Sequence, residues 1–184
     1  FALLGVGTAL PATAVDNTAL QGHLETSDEW IRTRTGVRSR RVLEAGEGIA
    51  ELAAKAATQA LVEAGVAPAE VGLLVLATST PDNLFGSAAE VQRRCGCNAA
   101  AAFDLTAACS GLVVALSTAV HLLPTYRTAL VVGADALTRF VDWSDRRTCV
   151  LFGDGAAALV VREVPSGVGR VLALRHWTEG EADE

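Results

Sequence analysis

Residues 99–123 read AAAAFDLTAACSGLVVALSTAVHLL, and this stretch decides the fold. Its first seven residues form a short apolar run that predicts a buried strand, and the apolar stretch from Leu112 to Leu123 predicts a helix. Cys109 falls between the two, in the strand-to-helix turn or in the first helical turn. The segment therefore predicts an α/β layer structure with a thiol at a helix N-terminus.

The turn around Cys109 suits a reactive thiol. The unpaired N–H groups and the partial positive charge of a helix N-terminus favour thiolate over thiol. Small neighbours, from Ala107 to Gly111, leave room for a substrate carbonyl, and an N–H of the turn is available for a developing oxyanion. The alternative is a buried cysteine that packs as a small apolar side chain, which is the commoner fate of cysteines. The local sequence leaves both interpretations open.

Strand and helix patterns alternate along the rest of the chain. Strands are predicted at 1–6, 71–77, 99–105, 129–132 and 156–162, with helices over 49–64, 86–95 and 110–123. The run LLVL at 73–76 lacks polar alternation, which is typical of a strand covered on both faces. We therefore expect one α/β domain whose mixed, mainly parallel sheet has helices on both faces. A further apolar run at 168–174 precedes a charged tail.

Composition and charge exclude several classes of function. The 184 residues are 51% hydrophobic and 20% charged, enough for one substantial core. A net charge of −6 gives no general reason to bind nucleic acid. No stretch has about 20 uninterrupted apolar residues, so no membrane span is expected. The four cysteines lack zinc-ligand spacing, so we expect no metal site and a reducing compartment.

Two polar segments near the N-terminus carry further signals. Residues 25–30, ETSDEW, predict a helix start with Thr26 as N-cap and Glu29 completing a capping box. Five arginines follow within ten positions, and they form either an anion site or a solvated face. They are Arg32, Arg34, Arg38, Arg40 and Arg41. Gly5-Val6-Gly7 lacks the third glycine that a dinucleotide site requires.

The remaining polar and sulfur-containing residues predict structural roles. Cys95, Cys97 and Cys149 lack the strand–turn–helix setting, so we expect none of them to be the nucleophile. Asp154, between two glycines ahead of a strand, is expected to bind backbone N–H groups at a turn. His121 is expected to be a packed or surface residue, and the two other histidines, His23 and His176, are expected at the surface.

Four motifs, in order along the chain, resemble the β-ketoacyl-acyl carrier protein synthase III family of the thiolase-like superfamily. They are ETSDEWI at 25–31 with RTGVR at 34–38, ATSTPD at 77–82, AFDLTAACSG at 102–111, and DRRT at 145–148 with LFGDGA at 151–156. LFGS at 84–87 and VDW at 141–143 look most like the cyanobacterial and plastid branch. The resemblance implies a thiolase-like fold and an acyltransferase that starts fatty acid biosynthesis.

The resemblance also implies the chemistry of Cys109. In the family, this cysteine attacks an acyl-CoA thioester, with acetyl-CoA the expected donor, and carries the acyl group. Malonyl-acyl carrier protein then loses carbon dioxide, and its carbanion attacks the acyl-enzyme. A thiolate is nucleophilic near neutral pH and its thioester stays electrophilic, so a cysteine suits both steps. Acyl-CoA and malonyl-acyl carrier protein are substrates, and no bound cofactor is implied.

The same resemblance implies a coenzyme A subsite. It has Trp30 and Arg146 around the adenine, with Thr26 and Arg34 near the nucleotide and its phosphate. An indole face and a guanidinium can sandwich a base, and arginine offers forked donors to phosphate. The alternatives are helix packing for Trp30 and, for Arg146, a surface ion pair with Asp142 or Asp145.

Partners and location follow from the resemblance as well. Phe85 matches a position that reaches across a homodimer interface to the partner's acyl pocket, the alternative being packing within its own subunit. Acyl carrier protein is the expected macromolecular partner. The expected location is the cytoplasm in a bacterium and the plastid stroma in an alga or plant.

The chain also departs from the family pattern. The family's catalytic histidine and asparagine belong to a second half of the fold, so residues 1–184 are expected to form its N-terminal half. One hypothesis is a condensing enzyme completed by that second half; another is a catalytically incompetent fragment or binding module. A sister thiolase-fold acyltransferase is the third. The link at 122–127 is shorter than in the family and puts Pro124 near the end of a helix.

Overall fold

The computed structural model of the protein describes residues 1–165. The strands are Ala2–Ala9 (β1), Thr13–Asp16 (β2), Ser39–Val42 (β3), Leu73–Ala77 (β4), Ala101–Leu105 (β5), Thr128–Ala136 (β6) and Asp154–Arg162 (β7). The α-helices are Asn17–Gln21 (α1), Asp28–Thr35 (α2), Ile49–Ala64 (α3), Ala88–Arg94 (α4) and Gly111–Tyr126 (α5). The five strands predicted before residue 165 and the three predicted helices are confirmed. The apolar run at 168–174, the charged tail and His176 lie outside the described residues.

Five strands form the central sheet in the order β1-β7-β6-β4-β5. Strand β4 pairs in parallel with β5 and β6, whereas β7 is antiparallel to both β6 and β1. Four strands therefore run in one direction and only β7 runs in the other. This is the mixed, mainly parallel sheet that the sequence predicts.

Helices cover both faces of this sheet. Leu74 and Leu76 of β4 pack in a cluster with α3 and α4, while Leu73 and Val75 pack on the opposite face with α5. All five residues of β4 are buried. Apolar side chains on both faces explain why the run LLVL shows no polar alternation.

Glycines allow α3 to cross β1 at backbone contact distance. A Cβ atom added to Gly7 would lie 2.0 Å from the carbonyl oxygen of Ala56, and one added to Gly5 would lie 2.5 Å from that of Ala60. Neither position has room for a side chain. The sequence Gly5-Val6-Gly7 therefore serves helix–strand packing, in keeping with its rejection as a dinucleotide motif.

A small lobe, residues 13–42, adjoins the main sheet. It consists of α1, α2 and the antiparallel pair β2–β3. Sequence patterns predicted the start of α2, but neither α1 nor the β2–β3 pair. Its core joins Leu20 and Ile31 to Cys149 and Val150 from the long connection between β6 and β7. Cys149 is fully buried there, as predicted.

Arg40 is buried between this lobe and the β6–β7 connection. Its guanidinium donates to Asn17 Oδ1 at 2.7 Å, to the Val15 carbonyl at 3.2 Å and to the Val150 carbonyl at 3.1 Å. Burial lowers the pKa of Arg40 from its ordinary value. Since Arg41 also binds backbone carbonyls, the five clustered arginines do not form one anion site.

The N-terminus of α2 differs from the prediction by one residue. Ser27, not Thr26, is the N-cap, and its Oγ accepts from the Trp30 N–H at 3.0 Å. Thr26 is held in the preceding turn, where its N–H donates to the Leu24 carbonyl. Because Trp30 occupies the third helical position, the capping box predicted with Glu29 does not form.

Helix α5 continues three residues beyond the predicted end at Leu123. Pro124 lies inside its last turn, and the helix ends at Tyr126 with Arg127, which has φ of 63°, as its C-cap. Within the part of the chain that the structure describes, the segment Ala108–Tyr126 is long and apolar enough to cross a membrane by length and composition alone. Here Ala115 and Ala119 of this helix pack on the central sheet.

Candidate active site

Cys109 lies in a single 3-10 turn, Ala108–Ser110, between the end of β5 and the start of α5. The side chain is exposed. The alternative of a cysteine packed in the core is therefore wrong, and the thiol is accessible at the N-terminal end of a 16-residue helix. The three other cysteines are buried.

Backbone geometry orients this thiol. Ala108 has φ of 44°, in the left-handed region that residues with a side chain rarely adopt. Hydrogen bonds from the Ser110 and Gly111 N–H groups, to the carbonyls of Ala107 and Ala108, close the turn. Neither bond uses the N–H of Cys109. That N–H is therefore a candidate oxyanion donor.

A cavity of about 450 Å³ opens in front of Cys109. Its walls come from the turn itself and from the ends of β6 and β7, and most wall residues are small. They include Ala77, Gly133, Ala134, Gly153, Gly155 and Ala156. Larger apolar side chains, Leu10 and Leu112, also line it. The cavity offers an acyl group space beside the thiol.

Asp82 and Asp104 hold the N-termini of α3 and α4. The carboxylate of Asp82 accepts from the N–H groups of Ile49 and Ala50, both at 2.9 Å. The carboxylate of Asp104 accepts from the N–H groups of Ser87, at 2.8 Å, and Ala88, at 3.0 Å. Both aspartates lie in the quoted motifs, and both contribute to positioning rather than to chemistry.

Two further aspartates fix the loops at the same edge of the sheet. Asp135 accepts from the Ser79 N–H at 2.7 Å and from the Thr80 hydroxyl at 3.2 Å. Asp154 is buried, and accepts from the N–H groups of Leu43 and Thr138 at 2.8 and 3.0 Å. The prediction that Asp154 binds backbone N–H groups is confirmed. The other three roles had no local sequence signal, because donor and acceptor lie far apart in the chain.

Trp30 forms the centre of a second polar surface. The guanidinium carbon of Arg34 lies 4.5 Å from the centroid of its ring, and that of Arg146 lies 5.1 Å away. The indole is half-buried and also packs on the small-lobe core, so its predicted packing alternative describes part of its role. Such cation–π contacts stabilise by about 0.5–2 kcal/mol each, depending on exposure.

The structure brings Arg146 and Thr26 to this surface from two directions. Arg146 donates to the carbonyl of Glu25, next to Thr26. The alternative of an ion pair with Asp142 or Asp145 is wrong, because Asp145 pairs with Arg147 at 2.9 Å and Asp142 accepts from Ser144. The hydroxyl of Thr26 is a buried atom without a hydrogen-bond partner in the described residues.

The loop around Phe85 projects away from the body of the protein. Phe85 and Leu84 are each 93% exposed, so packing of Phe85 within its own subunit is wrong. Asn83 Oδ1 accepts from the Phe85 N–H, and Gly86 adopts φ of 89° against the carboxylate of Asp104. A cavity of about 560 Å³ separates this loop from the β5 edge of the sheet.

Comparisons with known proteins identify the class of fold and then the family. A family model described as 3-oxoacyl-[acyl-carrier-protein (ACP)] synthase III matches residues 103–180. The β-ketoacyl-[acyl-carrier-protein] synthase III of Gloeobacter violaceus is 58% identical over 180 residues, covering 97% of this chain and 54% of the relative. The crystal structure of the Aquifex aeolicus 3-oxoacyl-[acyl-carrier-protein] synthase III superposes with a TM-score of 0.84 at 44% identity. That match covers 88% of this chain and 53% of the solved chain.

The fold is therefore thiolase-like, as predicted, with an exposed cysteine at a strand-to-helix turn. The chain belongs to the β-ketoacyl-acyl carrier protein synthase III family, an acyltransferase family, and its close curated relatives come from cyanobacteria. It spans about half the length of the curated relatives that it matches.

Proposed function

We propose that this chain carries the acyl-accepting part of a β-ketoacyl-acyl carrier protein synthase III. Cys109 takes an acyl group from an acyl-CoA, expected to be acetyl-CoA, in the reaction that starts fatty acid biosynthesis. The observation that carries the proposal is the exposed Cys109 thiol at the start of α5. It faces a cavity of about 450 Å³ that is lined mostly by alanine and glycine residues.

The proposed acyl transfer uses groups present in the turn. The Cys109 thiolate attacks the thioester carbonyl, and the negative charge that develops on its oxygen is met by the backbone N–H of Cys109 and the partial positive charge of α5. The bond from the carbonyl carbon to the coenzyme A sulfur then breaks, and the released thiolate takes up a proton. The acyl group remains on Cys109 as a thioester.

The coenzyme A is proposed to bind at Trp30, with Arg146 on the adenine and Thr26 and Arg34 near the nucleotide and phosphate. An adenine that stacks on the indole with one face and on the Arg146 guanidinium with the other needs a gap of about 7 Å between them, twice the usual contact spacing. Arg146 lies 5.1 Å from the ring centroid, so it must move outward to admit the base. The exposed guanidinium of Arg34 supplies charge for phosphate.

Malonyl-acyl carrier protein is the proposed second substrate. The condensation needs the histidine and asparagine of the family's other half, which residues 1–184 do not supply. We therefore propose that residues 1–184 form the N-terminal thiolase-like domain of the synthase. Because the curated relatives are cyanobacterial, the bacterial cytoplasm is the proposed location.

Acylation of Cys109 tests the first step directly. The purified chain is incubated with labelled acetyl-CoA, digested, and mapped by mass spectrometry. We expect label on Cys109, none in Cys109→Ala, and unchanged labelling in Cys149→Ala, whose thiol is buried. If circular dichroism shows that the wild-type chain is folded and it still takes up no label, the hypothesis of a catalytically incompetent fragment is favoured.

An assay of the condensation step tests whether a second half of the fold is needed for activity. We expect no β-ketoacyl product from the 184 residues with malonyl-acyl carrier protein, and product once a C-terminal half of a relative is added. Product from the 184 residues alone would refute the need for a second half.

The variant Arg146→Ala tests the proposed coenzyme A subsite. We expect it to raise KM for acyl-CoA about tenfold with little change in kcat, because the lost contact is to a part of the substrate remote from the reacting carbonyl.

The exposed loop supports a homodimer. Leu84 and Phe85 present a continuous apolar surface beside β5, the edge strand of the sheet, and such surfaces on stable proteins are commonly covered by a partner. We propose that a second copy covers it and that Phe85 enters the partner's acyl pocket. Sedimentation of wild type and Phe85→Ser tests this: a monomeric wild type would contradict the proposal, and a weakened dimer in the variant would support it.

A further inference from the structure

Cys95 and Cys97 form a thiol pair outside the site described above. Cys95 caps the C-terminus of α4, and Cys97 follows one glycine later, before β5 begins. Their Sγ atoms are 3.4 Å apart. Cys97 is fully buried, whereas Cys95 keeps 7% of its surface exposed. Two thiols in contact, one of them in a residue that keeps some exposed surface, differ in kind from the single thiols Cys109 and Cys149.

The backbone holds these two side chains together. Gly96 has φ of 76°, and a Cβ added there would meet nothing closer than 3.6 Å, so conformation and not space requires the glycine. The N–H of Cys95 donates to the Val91 carbonyl and that of Cys97 to the Gln92 carbonyl, each at 3.0 Å. Both cysteines are therefore tied to the last turn of α4, which turns their thiols towards each other.

The contact makes the two thiols chemically unequal. The hydrogen bond between the two thiols lowers the pKa of Cys95 to about 7, against an opposing effect of burial. The same hydrogen bond, together with burial, raises the pKa of Cys97 above its ordinary value. The more accessible thiol is thus also the one that ionises first. This division of roles is that of an attacking and a resolving cysteine.

We propose that Cys95 and Cys97 are an oxidation site that forms a reversible intrachain disulfide on reaction with a peroxide. The Cys95 thiolate attacks one peroxide oxygen. The O–O bond breaks and releases hydroxide, and Cys95 becomes a sulfenic acid. The Cys97 sulfur then attacks that sulfur, the S–O bond breaks, and the leaving hydroxide combines with the Cys97 proton as water. Two electrons pass from the two sulfurs to the peroxide. The sulfur atoms need to approach from 3.4 Å to the bonded distance of about 2.05 Å.

Peptide mapping of the oxidised full chain tests the proposal. The folded chain is treated with hydrogen peroxide, unfolded in denaturant with iodoacetamide, digested and analysed by mass spectrometry. We expect the peptide with Cys95 and Cys97 to carry no alkyl group and to lack two hydrogens, and dithiothreitol to restore alkylation of both. Full alkylation of both residues, in a sample whose exposed Cys109 has been oxidised, would overturn the proposal.

Single variants test the assigned roles. In Cys97→Ser, a hydroxyl donor remains beside Cys95 but no thiol can resolve the sulfenic acid, so dimedone is expected to trap it on Cys95. In Cys95→Ala, we expect several-fold less dimedone on Cys97, and in the control Cys149→Ala the disulfide forms as in wild type. Equal trapping at Cys95 and Cys97 would overturn the assignment. Thermal unfolding followed by circular dichroism identifies any variant that is not folded, and disulfide mapping of the wild-type chain does not depend on the variants.

Discussion

The turn that carries Cys109 and the small lobe that carries Trp30 are positioned by different means. Around Cys109, packed strands and helices meet, and four aspartates bind backbone N–H groups at the ends of those elements. In the small lobe, one buried guanidinium and a stack of arginines on an indole do the positioning. The elements around the nucleophile are thus joined by carboxylates that bind backbone N–H groups, and the proposed nucleotide surface is built from guanidinium groups and an indole.

The largest effect is expected from a side chain placed between α3 and β1. Gly7→Val puts a branched side chain where a Cβ alone would lie 2.0 Å from the Ala56 carbonyl oxygen, so the helix must move off the sheet. We expect the free energy of unfolding to fall by at least about 3 kcal/mol, measured by urea denaturation. Gly22→Ala is the control, because its nearest neighbour would be 3.9 Å away. A Gly7→Val protein as stable as this control would mean that the main sheet is not rigidly packed.

Removing the buried guanidinium is expected to affect the small lobe and the β6–β7 connection next to it, and not the central sheet. Arg40→Met leaves Asn17 Oδ1 and the carbonyls of Val15 and Val150 without their donor, at a cost of about 2–4 kcal/mol. In hydrogen–deuterium exchange, peptides of residues 13–42 should exchange faster while those of β4 stay protected. Equal loss of protection in both regions would erase the contrast between them.

Asp154 joins the two regions, and a smaller change there tests the connection. It accepts from Leu43 N–H next to the small lobe and from Thr138 next to the main sheet. Asp154→Asn keeps the shape but replaces one acceptor by a donor, so we expect a loss of about 1–2 kcal/mol in thermal unfolding. Asp142→Asn, at an exposed position, is the matched control. The prediction fails if both substitutions have the same effect.

The smallest effect concerns the pH dependence of stability. Burial raises the pKa of Asp82, but hydrogen bonds from the N–H groups of Ala50 and Ile49 and from Arg139 outweigh it, so the pKa lies below its ordinary value of 3.8. A lowered pKa stabilises the folded state above that value, and the stabilisation is lost as the pH falls below it. Thermal unfolding from pH 6 to about 3 should therefore show a shallower decline for Asp82→Asn than for wild type. Parallel curves would contradict this role.

Much of the fold follows from local pattern. The strands at β1, β4, β5, β6 and β7 and the helices α3, α4 and α5 lie where apolar periodicity predicts them. Apolar periodicity did not predict the β2–β3 pair, because each strand has only four residues and β3 contains two arginines. The N-cap of α2 shifted by one residue, since Thr26 and Ser27 are equally suitable caps and only the preceding turn chooses between them.

The candidate site was predictable in part for the same reason. Cys109 stands out because the strand, the turn and the helix that expose it are contiguous in sequence. The stacking of Arg34 on Trp30 is within one helix, whereas Arg146 reaches the same ring from a distant segment. Only the family motifs pointed to that second contact.

By itself, the sequence determined the order of the five central strands and of helices α3 to α5, the position of the nucleophile between β5 and α5, and the family. These depend on periodicity and on neighbouring residues, which a linear chain displays directly. Only the tertiary structure decided which backbone groups the aspartates bind, that Arg40 is buried and that Gly5 and Gly7 lie against α3. Such contacts join residues far apart in the chain, 33 positions for Asp82 and Ile49 and 111 for Asp154 and Leu43. Folding brings these residues together, and no local pattern encodes their partners.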